Sequence, residues 1–199
     1  MDVATRRRLL ELARRSVRAA ARREPPPSAT GAAGTDEKFF GVFVTLRRHG
    51  QLRGCIGTFS PTGTLPEAVI EYARHSAIHD SRFLPVTPSE VDQLTIEISV
   101  LSPLERTLDP GSLEVGKHGV YIKAKGNGPE RTACFLPQVA VEQHWNAEQF
   151  LSALCAHKCR PPLPPDAWKD PTKTEVYLFT AEVFSEDETA PEEPREPAE

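Results

Sequence analysis

The sequence has few sulfur-containing and aromatic residues and no long apolar run. Its 199 residues include four cysteines, one methionine and two tryptophans. Four irregularly spaced cysteines in a chain of this length do not form the dense pattern of a disulfide framework. No apolar run approaches the roughly 20 residues that a membrane-spanning helix needs. We therefore expect a soluble, cytoplasmic protein in a reducing environment.

Signatures of well-known chemistries are missing as well. The sequence contains no G-x-S-x-G nucleophile elbow, no H-E-x-x-H zinc pair and no Rossmann glycine fingerprint. Lys117 is not part of a P-loop, because no Ser or Thr follows it. A net charge of −4 gives no overall electrostatic case for nucleic acid. We predict no cofactor and no metal, and we do not expect a nucleic-acid or membrane partner.

Charge is distributed unevenly along the chain. The first 23 residues contain eight arginines, and apolar residues at three- and four-residue steps predict an amphipathic helix over residues 3–23. We interpret the arginines as the solvated face of this helix, and a nucleic-acid patch is the alternative. Residues 185–199 are rich in Glu, Asp and Pro, which predicts a disordered tail.

The segment Leu52–Phe59 concentrates unusual features. It follows a strand-like run at residues 39–46 and a polar break containing Gly50, so a β-hairpin is predicted. Gly54 and Gly57 each weaken a strand by about 0.5–1 kcal/mol relative to alanine. A strand that keeps both glycines indicates a bulge or a close approach of other atoms to its backbone.

Strict alternation places Arg53 and Cys55 on the same face of the returning strand. A permanent cation beside a thiol is one way to lower the pKa of that thiol. Cys55 is therefore the first candidate for a nucleophile, a redox thiol or a metal ligand, and a small buried apolar role is the alternative. A nucleophile also needs a base, for which His79, His118 and His49 are the candidates.

Apolar periodicities of 3.6 and two residues predict an α+β fold beyond the hairpin. The predicted helices cover residues 65–77 and 146–158, and the predicted strands cover residues 94–101, 120–124, 133–136 and 174–184.

Several motifs together resemble those of a known family. The stretch Leu-Arg-Gly-Cys-Ile-Gly at 52–57 resembles the signature of the AMMECR-type domain family, also called protein A of the AmmeMemoRadiSam system. Three further motifs resemble elements of the same family: Asp-x-Arg-Phe-x-Pro-Val at 80–86, Ile-Glu-x-Ser-Val-Leu at 96–101 and Gly-Lys-His-Gly at 116–119. The resemblance covers residues 5–184, which we predict to be one domain.

The resemblance implies more than periodicity can show. It implies a duplicated β/α unit with a small lobe, sharing a single strongly curved, barrel-like, mostly antiparallel sheet with flanking helices. Relatives in bacteria and archaea are encoded with a Memo-type protein and a radical-SAM protein. This implies a shared modification pathway in which the chain carries or transfers an intermediate of an unidentified small-molecule or protein substrate. No particular reaction is implied.

The candidate site combines residues from several motifs. Asp80 and Arg82 either form an ion pair that pins their loop or contribute to a pocket. Lys117 and His118 either occupy a tight turn between glycines or project a cation and an imidazole towards an anionic group. The candidate catalytic residues are Cys55, Arg53, His118 and His79, and the candidate substrate-binding residues are Gly54, Gly57, Lys117, Asp80 and Arg82.

Cys155 and Cys159 fall on one helical face, but the usual zinc-finger spacings are absent. We expect Cys155 to lie in the core rather than in a metal site.

Three functional hypotheses follow. The first is an enzyme or enzyme subunit that uses Cys55. The second is a binding or scaffold module that docks a protein partner through residues 52–57. The third is a regulatory nucleic-acid binder that uses the arginine-rich helix.

Overall fold

The computed structural model describes residues 1–29, 39–126 and 131–189 and contains both helices and strands. The helices are α1 (Val3–Ala21), α2 (Leu65–Ile78), α3 (Pro137–Glu142), α4 (Ala147–Ala153) and α5 (Glu186–Thr189). The strands are β1 (Gly41–Arg48), β2 (Gln51–Thr58), β3 (Leu94–Leu101), β4 (Glu105–Thr107), β5 (Gly119–Ala124), β6 (Arg131–Phe135), β7 (Thr174–Phe179) and β8 (Ala181–Ser185). A π-helical turn, Leu154–Lys158, follows α4.

The chain divides into two compact units, each with its own sheet and core. The first unit comprises residues 1–100 and 183–199, and its sheet has the strand order β2–β1–β3–β8. The second unit comprises residues 101–182, and its sheet has the order β4–β7–β5–β6. Both hairpins, β1–β2 and β5–β6, are antiparallel. The mixed helix and strand content that the sequence predicts is confirmed.

The prediction of a single barrel-like sheet needs correction. The described strands form two four-stranded sheets, and neither closes into a barrel within the described part of the chain. The run at 174–184, predicted as one strand, divides at Thr180 into β7 of the second sheet and β8 of the first. Strand-forming residues continue on both sides of Thr180, so periodicity cannot reveal that the chain changes sheets there.

The two units repeat the same order of elements. In the first, the hairpin β1–β2 is followed by α2 and then by β3, which lies beside β1. In the second, the hairpin β5–β6 is followed by α3 and α4 and then by β7, which pairs with β5. This repetition is the order that a duplicated β/α unit would give.

The helices of the first unit begin at residues that satisfy their first amide groups. The side chain of Asp2 accepts a hydrogen bond from the Thr5 amide at the start of α1. Thr64 and Glu67 form a reciprocal capping box at the start of α2, which satisfies two otherwise unpaired N–H groups. The predicted helices are confirmed to within two residues, and their apolar faces enter a core with β1 and β3.

The arginine-rich face of α1 is not wholly solvated. Arg14 forms an ion pair with Glu186 of α5 and donates to the carbonyl oxygens of Val91 and Leu94, each at 2.6 Å. Glu186 also accepts the Ile96 amide at 2.8 Å. Glu186 therefore joins the first unit, although it falls in the segment that the sequence predicts as tail.

Some predictions fall on residues that the structure does not describe. These are residues 190–199 of the predicted tail.

The helix predicted at 146–158 corresponds to α4 and the π-helical turn that follows it. Pro137 opens α3, and Asn146 and Gln149 form a capping box at the start of α4. Phe135 and Phe150 stack in the core with ring centroids 5.4 Å apart.

Across the described ranges, no helix combines the length and the apolar character needed to cross a membrane.

Candidate functional site

The candidate site is built on β2, an edge strand of the first sheet. A two-residue turn joins β1 to β2, with positive φ at His49 (51°) and Gly50 (77°). Two consecutive left-handed residues are typical of the type I′ hairpin turn. The predicted hairpin is therefore confirmed, and it places Cys55 opposite Thr45.

The pairing of β1 with β2 contains an irregularity at Arg53. Leu46 pairs with Gly54 and Arg47 pairs with Leu52, so the register skips Arg53. A bulge of this kind redirects the side chain of the extra residue. The sequence-based inference that Arg53 and Cys55 share a face assumed unbroken alternation, which the bulge interrupts.

The glycines of β2 permit close contacts with the backbone. A Cβ atom at Gly54 would lie 2.2 Å from the carbonyl oxygen of Ser76 in α2. A Cβ atom at Gly57 would lie 2.2 Å from the carbonyl oxygen of Val42. Only glycine fits at these distances, which is the close approach that the sequence predicts.

Because α2 lies so close to β2, the Ser76 side chain hydrogen-bonds to backbone groups of both β1 and β2. Its hydroxyl donates to the Val44 carbonyl at 2.7 Å and accepts the Ile56 amide at 2.9 Å. Val44 and Ile56 are cross-strand partners, so the hydroxyl bridges two groups that could otherwise bond each other. The C-terminal half of α2 is thereby tied to the strand segment beside Cys55.

A side-chain ion pair holds the outer edge of β2 at Cys55. The Asp80 carboxylate accepts the Cys55 amide at 2.8 Å, and Arg82 Nη2 donates to the Cys55 carbonyl at 3.1 Å. Arg82 also donates to Asp80 from Nε at 2.9 Å and from Nη2 at 2.6 Å. The Asp80–Arg82 pair therefore occupies both backbone groups of Cys55, as a neighbouring strand would.

Charges in this pair are mutually stabilised. Burial by itself would raise the pKa of Asp80, but hydrogen bonds from Arg82 and from the Cys55 amide hold that pKa below its ordinary value. The pKa of Arg82 is raised, chiefly by its hydrogen bond to Asp80, and a Cys55 thiolate would raise it further. The ion pair that the sequence offers for Asp80 and Arg82 is therefore present, and it also contacts the backbone of the candidate nucleophile.

The Cys55 side chain is half-buried and not in a disulfide. The hydroxyl of Thr45, which is 3% exposed, donates to Cys55 Sγ at 3.3 Å. A hydrogen bond donated to sulfur favours the thiolate over the thiol. Sequence reasoning missed Thr45, although its cross-strand position follows from the predicted hairpin.

Arg53 pairs with Glu90 rather than standing unpaired beside the thiol. Its Nε lies 3.1 Å from Glu90 Oε1 and its Nη2 lies 3.3 Å from Oε2. The pKa of Glu90 is lowered to about 2, first by the Thr87 amide and then by Arg53. The guanidinium groups of Arg53 and Arg82 lie over the Phe83 ring at 5.9 and 5.5 Å.

The predicted bases occupy different parts of the molecule. His79 ends α2, and its ring centroid lies 5.0 Å from that of His75. Lys117 and His118 belong to the second unit. There, Lys117 Nζ lies 2.7 Å from Glu114 Oε1, and His118 Nδ1 accepts the Glu114 amide at 3.0 Å.

The other cysteines have different surroundings. Cys155 and Cys159 are fully buried, and burial raises the pKa of Cys155 to about 11 and also raises that of Cys159. Cys134 is half-buried on β6. Within residues 1–29, 39–126 and 131–189, no group of three or more His, Cys, Asp or Glu side chains is arranged to hold a metal ion.

Comparison with known proteins decides the family. The family model described as AMMECR1 matches residues 10–184. The chain belongs to the AMMECR1 family. Protein TK0174 of Thermococcus kodakarensis is 42% identical over 192 residues, covering 90% of this chain and 89% of that protein. A protein of Thermococcus gammatolerans is 45% identical over 157 residues, covering 74% of this chain and 73% of its own length.

A solved AMMECR1-family structure shares the fold. The crystal structure of protein PH0010 from Pyrococcus horikoshii matches with a TM-score of 0.80 at 38% identity, covering 91% of each chain.

Proposed function

We propose that this AMMECR1-family chain is an enzyme or enzyme subunit in which Cys55 forms a covalent intermediate. The observation that carries the proposal is the clamp on Cys55. One ion pair, Asp80–Arg82, holds both its amide and its carbonyl. A thiol on an edge strand is thereby fixed in position without being buried, and fixed geometry is what a nucleophile needs.

The clamp and the cross-strand threonine would support nucleophilic attack. Thr45 donates a hydrogen bond to the Cys55 sulfur, and the Arg82 guanidinium donates to the Cys55 carbonyl oxygen. In the proposed step the thiol proton passes to solvent and the thiolate attacks an electrophilic carbon. A sulfur–carbon bond forms, and the bond to the leaving group breaks with its electron pair on that group.

The proposed setting is a modification pathway shared with a Memo-type protein and a radical-SAM protein. The family resemblance supports this setting, and the substrate is either a small molecule or a protein. In the pathway, Cys55 would hold the intermediate between two partners' reactions.

The test is reconstitution of the three proteins with Cys55→Ser and with Cys134→Ser as the matched control. Both cysteines are half-buried residues of β-strands, so the control matches the environment but lies on the other sheet. We expect turnover to be lost only in Cys55→Ser, together with any adduct that mass spectrometry finds on residues 51–58. Full activity of Cys55→Ser would refute covalent chemistry at this position.

Exposed leucines favour a second candidate function, a docking module for a protein partner. Leu52 is 39% exposed and Leu84 is 84% exposed, and they flank the two segments that meet at Cys55. A docking module would keep its partner in Cys55→Ser but lose it in Leu84→Ser. Leu108→Ser, at a leucine that is 87% exposed in the second unit, is the control. Retention of the Memo-type protein by Leu84→Ser would count against docking at this surface.

A further inference from the structure

A cleft of about 430 Å³ lies beside the β1–β2 turn. Its volume falls within the roughly 300–1,000 Å³ of small-molecule sites. The five residues that line it all belong to the hairpin, so forming the hairpin builds the cleft. The lining residues are Arg48, His49, Gln51, Leu52 and Arg53.

The backbone of the hairpin directs the side chains of His49 and Arg53 to this cleft. His49 is exposed at the turn and has φ of 51°. The register between β1 and β2 skips Arg53, and a bulge re-aims the side chain of its extra residue.

Positive charge exceeds negative charge around the cleft lining. Arg48 Nη1 and Arg53 Nε both bond the same oxygen of Glu90, at 3.3 and 3.1 Å. Arg48 also donates to the neutral amide oxygen of Gln93, at 2.9 Å from Nε and 2.6 Å from Nη2. Two guanidinium groups thus share one carboxylate, which leaves one positive charge uncompensated within this set of four residues.

Arg53 also has hydrogen-bonding capacity to spare. Its Nη1 is buried and has no hydrogen-bond partner among the residues that the structure describes. A buried donor without a partner is uncommon, and a bound ion or water molecule is one explanation for it.

We propose that this cleft binds the anionic group, phosphate or carboxylate, of a small molecule. Guanidinium groups match both anions in geometry because their N–H groups form a planar fork. The surplus charge supplies the attraction, and His49 adds an exposed donor at the rim. Gln51 and Leu52 complete the site with one amide and one apolar side chain.

The position relative to Cys55 connects this site to the proposed function. Arg53 and Cys55 are two positions apart, which corresponds to about 7 Å in an extended chain. An anionic group held in the cleft would therefore lie close to the Cys55 backbone along the chain. Anion binding itself does not depend on Cys55 being reactive, so the two proposals can fail separately.

The experiment is a titration of the folded, ¹⁵N-labelled chain with inorganic phosphate and with malonate, each at constant ionic strength. We expect saturable amide shifts at residues 48–53 with at least one of the two probes. Arg48→Gln should weaken binding about tenfold, as expected for loss of one charge-assisted hydrogen bond. Arg106→Gln is the control, because Arg106 is a half-exposed arginine of the second unit that pairs with Glu175.

Glu90→Gln separates a binding site from simple fold stabilisation. Glutamine keeps an acceptor for Thr87 and Arg53 but removes the competing negative charge, so the anion should bind severalfold more tightly. Unchanged amide shifts outside residues 87–93 and the hairpin would show that the variant is folded. The tighter of the two probes identifies phosphate or carboxylate as the preferred group.

Three results would overturn the proposal. They are shifts that do not saturate with either probe, equal weakening in Arg48→Gln and Arg106→Gln, or weaker binding in folded Glu90→Gln. Cys55→Ser should bind the probe as the parent chain does. Its normal binding together with full activity in the reconstituted pathway would refute the proposed function while leaving the anion site intact.

Discussion

Replacing Asp80 by asparagine removes the charge that clamps Cys55. The carboxylate accepts hydrogen bonds from the Cys55 amide at 2.8 Å and from the Arg82 amide, Nε and Nη2 at 3.2, 2.9 and 2.6 Å. Hydrogen bonds to charged groups contribute about 1.5–3 kcal/mol each. The Arg82 side chain is 43% exposed, so solvent screens much of its share. We expect Asp80→Asn to lower the free energy of unfolding by about 2 kcal/mol.

Urea unfolding followed by far-UV circular dichroism measures this change. Trp145 and Trp168 both lie in the second unit, so tryptophan fluorescence reports directly on that unit only. Hydrogen exchange gives a local measurement, since the Cys55 amide loses its charged acceptor and should exchange faster. Glu175→Gln is the control, because its exposed pairing with Arg106 at 3.4 Å should contribute less than about 1 kcal/mol.

The pH dependence has a definite sign. The pKa of Asp80 is lower in the folded chain than its ordinary value, so the stabilisation by its charge is complete above the unfolded pKa of about 3.9. It is lost as the pH falls through the lower, folded pKa. The difference between the parent chain and Asp80→Asn should therefore be constant near neutrality and shrink below about pH 4. A neutral-pH difference under about 0.5 kcal/mol, with unchanged Cys55 exchange, would refute the clamp.

Two further substitutions test how α2 meets β2. Ser76→Ala removes the hydroxyl between the Val44 carbonyl and the Ile56 amide and leaves both groups without that partner. Urea unfolding should therefore show a loss of about 2–3 kcal/mol in the free energy of unfolding. An unchanged midpoint would show that the two backbone groups bond each other directly instead. Gly54→Ala places a Cβ atom 2.2 Å from the Ser76 carbonyl oxygen and should lower the free energy of unfolding by about 1–3 kcal/mol. Gly111→Ala is the control and should be near neutral, because the nearest atom to its Cβ would lie at 3.5 Å. Equal effects of the two substitutions would contradict the packing argument.

Local signals made the helices and hairpins predictable. Thr64 with Glu67, and Asn146 with Gln149, are capping residues that act on amide groups within three positions of themselves. Gly50 in a short polar break likewise predicts a tight turn without reference to the rest of the chain. Such features depend on short-range geometry, and the structure confirms them.

Long-range features of the site were not predictable in the same way. Ser76 and Glu90 are ordinary polar residues in the sequence, and their importance follows from contacts with β2 that span 20 and 37 positions. The bulge at Arg53 defeats an argument from alternation, because one extra residue reverses every face beyond it. An ion pair between Asp80 and Arg82 could be predicted from the sequence, but its hydrogen bonds to the Cys55 backbone could not.

The central claim is that Cys55 is a positioned, reactive thiol. It is tested most directly by alkylating the folded chain across a range of pH and reading each cysteine by mass spectrometry. We predict that Cys55 labels with a midpoint well below about pH 8.5, the value for an unperturbed thiol. Cys155 and Cys159 should stay protected because they are fully buried, and half-buried Cys134 should label more slowly than Cys55. If Cys55 labels only after unfolding, the claim is contradicted and docking becomes the better account of this surface.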